Sequence, residues 1–181
     1  MNHHIISLIG PRCTGKTTIG RRLSELLDIG FIDLDTKLVD LYAKESGTHE
    51  PGPGAVLEKM GEPAFRQLEA RALRQALAAK NNCILATGGG VVELGAHRRL
   101  LRERTKCVRL VVAPELLRER LAADPTHRPA LLGDDALAEI EALIEKRESK
   151  YAETAHITVD CGTDGIELLA HRIQTVLGSC S

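Results

Sequence analysis

Residues Gly10-Pro11-Arg12-Cys13-Thr14-Gly15-Lys16-Thr17-Thr18 place two glycines, one ammonium and three hydroxyls in nine consecutive positions. A backbone that curls at Gly10 and Gly15 can turn its N–H groups inward, and a helix starting at about Gly15 adds the positive end of its dipole. The result is a concave anion site. The spacing G-x-x-x-x-G-K-[ST] gives each position its work: the loop from Gly10 through Cys13, Thr14 and Gly15 to Thr18 holds nucleotide phosphates, Lys16 reaches the β- and γ-phosphates, and Thr17 offers a hydroxyl to Mg²⁺.

Five other groups have the types for related chemistry. Asp33 and Asp35 end an apolar run, Gly30-Phe31-Ile32, where period two puts both carboxylates on one face at the carboxyl edge of a sheet. The alternatives are a helix N-cap at Asp35 and a strand-end turn at Asp33. Arg66 and Glu69 stand one helical turn apart and can pair, or can form a solvated face. Thr87-Gly88-Gly89-Gly90 follows a buried run, which points to close backbone approach to a ligand or to a plain turn. Arg128 lies within Asp124-Pro125-Thr126-His127-Arg128-Pro129, a stretch between helical patterns that reads as a lid carrying a cation for a transferring phosphoryl group. Arg147 falls near the end of a long amphipathic pattern, where it can also neutralise a helix C-terminus.

The elements that must position these groups alternate strand and helix. Ile5-Ile6-Ser7-Leu8-Ile9 predicts a buried strand before the phosphate loop, and Ile19, Leu23, Leu26 and Leu27 predict a helix after it. Strands follow at 30–35, 82–87, 107–112 and 156–160. Helices are predicted at 36–44, 56–60, about 63–79, 95–104, 114–123, 135–151 and 165–177, with a long loop at 46–54. Alternation of this kind implies an α/β, doubly wound parallel sheet with helices on both faces. The 181 residues, 43% of them hydrophobic, suffice for one domain over 1–181.

Composition narrows the partners. Lys plus Arg number 24 against 25 Asp plus Glu, so no strong field advertises a nucleic acid or an anionic membrane. Aromatic content of 2% leaves few stacking platforms for bases. No apolar run approaches the length of a membrane span. Five scattered cysteines without C-x-x-C spacing fit reduced thiols in a cytoplasm, and no long heptad seam argues against a monomer. The histidines lack ligand spacing for a metal. Neither Asn-Lys-x-Asp nor Asp-x-x-Gly occurs, which disfavours a nucleotide switch.

Taken with Gly61-Glu62-Pro63-Ala64-Phe65-Arg66-Gln67-Leu68-Glu69, Thr87-Gly88-Gly89-Gly90-Val91-Val92, Arg128-Pro129 and Lys146-Arg147, the phosphate loop and the Asp-x-Asp make this chain resemble the shikimate kinases over nearly its full length. The resemblance implies a nucleoside-monophosphate-kinase-like sheet of order 2-3-1-4-5 and phosphorylation of the 3-hydroxyl of shikimate by ATP. It implies catalytic roles for Lys16, Asp35 and Arg128. Thr17 would bind Mg²⁺, with Asp33 supporting the metal through water. Asp35, Arg66, Arg147 and the amides of Gly88, Gly89 and Gly90 would hold shikimate, with Glu69 orienting Arg66. The substrate segment would cover about 35–66 and the lid about 122–134. Two departures stand out. The chain is about seven residues longer than the family pattern between Asp35 and Arg66, and Cys161-Gly162-Thr163 lacks the Arg that some members offer to adenine, leaving Arg120 as the cation for that side. Another small-polyol kinase, of the gluconate kinase kind, is the alternative within enzymes.

Overall fold

Strand β1 (Ile5–Ile9) shows how one short sequence is divided between two cores. Ile5 and Ile9 pack into one apolar cluster, Leu8 into the other, with Ile6 against that second cluster, as the two-residue period of a strand demands. Ser7 breaks the apolar run without leaving an unmet hydroxyl, because its Oγ lies 2.6 Å from the buried Thr105 Oγ1. The structure, a computed structural model, describes residues 5–123 and 136–179.

The chain runs from β1 through α1 (Lys16–Leu27), β2 (Gly30–Asp33), α2 (Leu34–Ser46), α3 (Pro53–Met60) and α4 (Glu62–Leu77) to β3 (Cys83–Ala86). It continues with α5 (Gly95–Arg104), β4 (Lys106–Val111), α6 (Pro114–Ala122), α7 (Ala136–Thr154), β5 (Ile157–Asp160) and α8 (Ile166–Gly178). Five strands pair in the order β2-β3-β1-β4-β5, all parallel, with Ile6 opposite both Ile84 and Lys106. This is the expected doubly wound sheet.

The first cluster gathers Leu34 and Leu38 of α2, Val56 of α3, Leu68 and Leu73 of α4, Leu101 of α5 and Tyr151 of α7. On the opposite face, Ile19 and Leu23 of α1, Leu117 of α6 and Leu169 and Ile173 of α8 close over Ile84, Val108 and Leu110. Because every strand points the same way, the segments after Ile9, Asp33, Ala86, Val111 and Asp160 gather at one edge. β3 and β4 flank β1 on opposite sides, so the winding reverses beside β1, and that is where the crevice of such a sheet opens.

Several boundaries differ from the sequence reading, two of them for identifiable reasons. The second strand ends at Asp33 rather than position 35, because the Asp33 side chain caps α2. Pro53 opens α3 instead of ending a loop, its fixed φ and missing N–H suiting a first turn. Helix α7 runs on to Thr154.

Candidate active site

The phosphate loop leaves β1 with three left-handed residues in six. Gly10 has φ +146°, Cys13 +61° and Gly15 +88°. A Cβ at Gly10 would stand 2.6 Å from the Leu110 carbonyl oxygen, so the loop presses on β4 where only hydrogen fits. Cys13 is the unexpected member, a non-glycine residue held in a conformation that side chains resist. Thr14 is buried and its hydroxyl donates to the Pro11 carbonyl at 2.9 Å, bracing the curl.

Lys16 folds back into this curl. Its Nζ donates to the carbonyls of Gly10 at 2.9 Å and Pro11 at 2.5 Å. Burial drags its pKa from 10.5 to about 8, against the pull of Asp35 first and then of Cys13 and Asp33. A buried ammonium held by backbone carbonyls, its pKa lowered by burial, is a group that an anion in the curl would stabilise. That Asp35 is the first charge acting on Lys16 places the carboxylate and the ammonium in one electrostatic neighbourhood.

The two aspartates occupy different elements. Asp33 ends β2 and is the N-cap of α2, its Oδ1 accepting from the N–H groups of Asp35 at 3.0 Å and Thr36 at 3.1 Å. Its Oδ2 accepts from the Thr17 hydroxyl at 2.9 Å. One carboxylate thus starts a helix with one oxygen and faces the phosphate loop with the other. Asp35 lies in the first helical turn, so neither a shared strand face nor a cap at Asp35 is what the structure shows.

The three glycines meet three different parts of the site. A Cβ on Gly88 would come within 2.6 Å of Asp35 Oδ1, one on Gly89 within 3.3 Å of the Arg12 backbone nitrogen, and one on Gly90 within 2.9 Å of Arg66 Nη1. Arg66, on α4, donates through Nη1 to Glu69 at 2.9 Å and lies 3.5 Å from Glu62. Glu69 is buried, and burial pushes its pKa up while the Arg66 guanidinium pulls it back. His97 Nδ1 sits 3.8 Å from Glu69 and 3.2 Å from the Val91 carbonyl, and burial keeps its pKa below the ordinary value.

Helix α7 supplies the facing wall. Arg147 donates from Nε to Glu93 Oε1 at 2.6 Å, Lys150 pairs with Glu93 Oε2, and the buried Tyr151 hydroxyl donates to the Gly89 carbonyl at 2.6 Å. Arg147 therefore points at the glycine segment, two turns before the helix ends, and does not neutralise the C-terminus. Both Arg66 and Arg147 lower the pKa of Glu69, so the two guanidiniums share one electrostatic neighbourhood. Arg120 projects from α6 close enough to the Cys161 thiol, at the end of β5, to act on its ionisation.

A cleft of about 340 Å³ opens beside Asp33 and Asp35 and is walled by His49, Glu50 and Pro51 of the long connection and by Pro53 at the start of α3. Glu50 is buried and paired with Lys59 of α3, which anchors that wall. Arg128 and most of the expected lid lie outside the described residues. Sequence reasoning placed Cys13 in the phosphate loop but not in a left-handed conformation, and it did not single out Glu93, Lys150 or Tyr151. Their partners lie far away along the chain, and no local spacing announces them.

Comparison with known proteins identifies relatives of one family. The family model described as Shikimate kinase matches residues 12–177. A shikimate kinase of Dechloromonas aromatica is 42% identical over 155 residues, covering 86% of this chain and 80% of that protein. The structure of a shikimate kinase from Acinetobacter baumannii in complex with shikimate matches with a TM-score of 0.85 at 31% identity, over 98% of this chain and 94% of that one. The corresponding enzyme of Aquifex aeolicus gives 0.77 at 32% identity, over 96% of each chain. The chain belongs to the shikimate kinase family.

Proposed function

We propose that this chain transfers the γ-phosphoryl group of ATP to the 3-hydroxyl of shikimate. The observation that carries the reading is the convergence on Gly88, Gly89 and Gly90: the acidic side chain of Asp35, the phosphate loop and the guanidinium of Arg66 each occupy the space where a side chain on a different glycine would stand. A phosphate-binding loop, a base and a carboxylate-binding cation in mutual reach are what phosphorylation of a small hydroxy acid requires.

In this reading the roles are those that the family resemblance implies. The loop of Gly10, Cys13, Thr14, Gly15 and Thr18 surrounds the phosphates, and Lys16 swings from its carbonyl partners to the β- and γ-oxygens. Arg66 and Arg147 fork the substrate carboxylate, since a planar guanidinium matches it with parallel donors. Asp35 accepts the proton of the 3-hydroxyl as that oxygen forms its bond to γ-phosphorus, and the bond from γ-phosphorus to the bridging oxygen breaks to release ADP. Glu69 orients Arg66. Arg128 stabilises charge on the transferring group, and Arg120 serves the adenine side.

The Thr17 hydroxyl and Asp33 Oδ2, 2.9 Å apart at the loop mouth, are hard oxygen donors of the kind Mg²⁺ prefers. Bound there, the ion would neutralise phosphate charge, with Thr17 a direct ligand and Asp33 acting through water. No helix among the described residues is long and apolar enough to cross a membrane. We place the protein in the cytoplasm as a monomeric enzyme organised as one domain, with a small molecule and neither nucleic acid nor membrane as its partner.

A coupled assay of ADP release with shikimate, quinate, gluconate and cyclitols tests the assignment. Shikimate should give the highest kcat/KM. Faster turnover of another polyol overturns the substrate.

A further inference from the structure

Glu93 lies three residues beyond the glycine segment, and its backbone is fixed from both sides. Its N–H donates to the Gly90 carbonyl at 3.0 Å, and its own carbonyl accepts from Arg98 Nη1 at 3.2 Å. From this anchored point the side chain meets α7, where Oε1 takes Arg147 Nε at 2.6 Å and Oε2 takes Lys150. The carboxyl is only 19% exposed. Four residues on from Arg147, and so on the same helix face, the Tyr151 hydroxyl binds the Gly89 carbonyl. The glycine segment and Glu93 beyond it therefore hold α7 at two points about one turn apart.

From this geometry we infer that Glu93 is a positioning residue for substrate binding, fixing the guanidinium of Arg147 at the angle from which it meets the acceptor's carboxylate. The inference rests on the shikimate reading above. A free arginine has several rotatable bonds and loses much rotamer freedom when a ligand orders it. The Glu93 bond uses Nε, at the neck of the guanidinium. That restrains the outer torsions, and this bond does not occupy the Nη groups that form a fork with a carboxylate. Ordering is then completed in folding instead of in binding, which is how preorganisation raises affinity. Lys150 shares the carboxylate and serves helix docking. Burial raises the cost of the Glu93 charge, but hydrogen bonds from Lys150 and Arg147 outweigh it and hold its pKa down at about 2, so the carboxylate stays ionised wherever the enzyme works.

Steady-state kinetics and thermal melts on the whole protein decide this, using wild type, Glu93→Gln, Lys150→Gln, Arg147→Lys and the double variant Glu93→Gln/Arg147→Lys. Glu93→Gln should raise the shikimate KM about tenfold, as loss of one charge-assisted hydrogen bond implies, with kcat and the ATP KM within about twofold of wild type. In the Arg147→Lys background the same change should add nothing, because its effect passes through that guanidinium. Lys150→Gln should lower Tm and leave the shikimate KM unchanged. An unchanged KM in Glu93→Gln, an equal KM effect from Lys150→Gln, additive effects in the double variant, or loss of a cooperative melt each overturns the positioning role. A wild type that does not phosphorylate shikimate overturns the functional reading itself and this role with it.

Discussion

Lys16 makes a quantitative test possible before any substrate is added. Burial lowers its pKa from 10.5 to about 8, so the folded chain holds that proton less tightly than the unfolded chain does. With more protons bound in the unfolded state between those values, stability must rise with pH across the window from about 8 to 10.5. The penalty is fully present below pH 8. At pH 7 the difference amounts to about 3 kcal/mol, and raising the pH from 7 to 10 recovers most of it. Lys16→Met removes the titrating group and leaves the other ionisable groups in place. Urea unfolding of wild type and Lys16→Met at pH 7 and pH 10 isolates the lysine as a double difference, in which other pH effects and the lost bonds to the Gly10 and Pro11 carbonyls largely cancel. Wild type should gain on the order of 2 to 3 kcal/mol more than the variant. A double difference below about 0.5 kcal/mol would show that the ammonium is not buried at a loss, and would refute the idea that phosphates supply its missing counter-charge. The same linkage makes ADP binding take up a proton at pH 9, which calorimetry in buffers of different ionisation enthalpy detects.

Other outcomes separate residues of like type. Asp35→Asn should fold, bind ATP normally and lose kcat by about 10²-fold, the scale of a general base, and near-normal turnover removes the base from Asp35. Asp33→Asn keeps an oxygen for the α2 cap and so should melt like wild type while needing more Mg²⁺, whereas Asp33→Ala should also lose about 1 kcal/mol of stability by urea unfolding. Gly88→Ala drives a methyl toward Asp35 Oδ1, and the displaced carboxylate should cost kcat about 10²-fold with ADP affinity preserved; an unaffected kcat would mean that the contact is loose. Shortening the 46–54 connection to the family length should alter the shikimate KM and spare ATP binding, because its residues wall the cleft beside Asp35.

How far the residues announced this arrangement depends on the range of the physics involved. The phosphate loop, the strands and most helices come from local rules: turn chemistry, period two, period 3.6 and proline at first turns. Asp33 and Asp35 show where local rules collide. Asp-Leu-Asp-Thr satisfies both a strand-end pattern and a capping pattern, and either aspartate is a good cap. The choice falls to Asp33 because its other oxygen also meets Thr17, sixteen residues earlier. Arg147 was ambiguous for a similar reason, since proximity to a helix C-terminus is local whereas Glu93 lies 54 positions away. Tyr151 reads as one more apolar face residue until its hydroxyl is seen on the Gly89 carbonyl. The triple glycine was legible as a close approach. What it approaches became clear only when β2, β1 and α4 brought Asp35, the phosphate loop and Arg66 to it.

Phosphorus NMR of a reaction containing wild-type protein, ATP, Mg²⁺ and shikimate tests the central claim most directly, because it reads both the transfer and the atom that receives it. The account predicts equal amounts of ADP and one new phosphate ester, coupled to the proton on C3 of the ring. ADP formation independent of shikimate, or phosphate on a different hydroxyl, would contradict it.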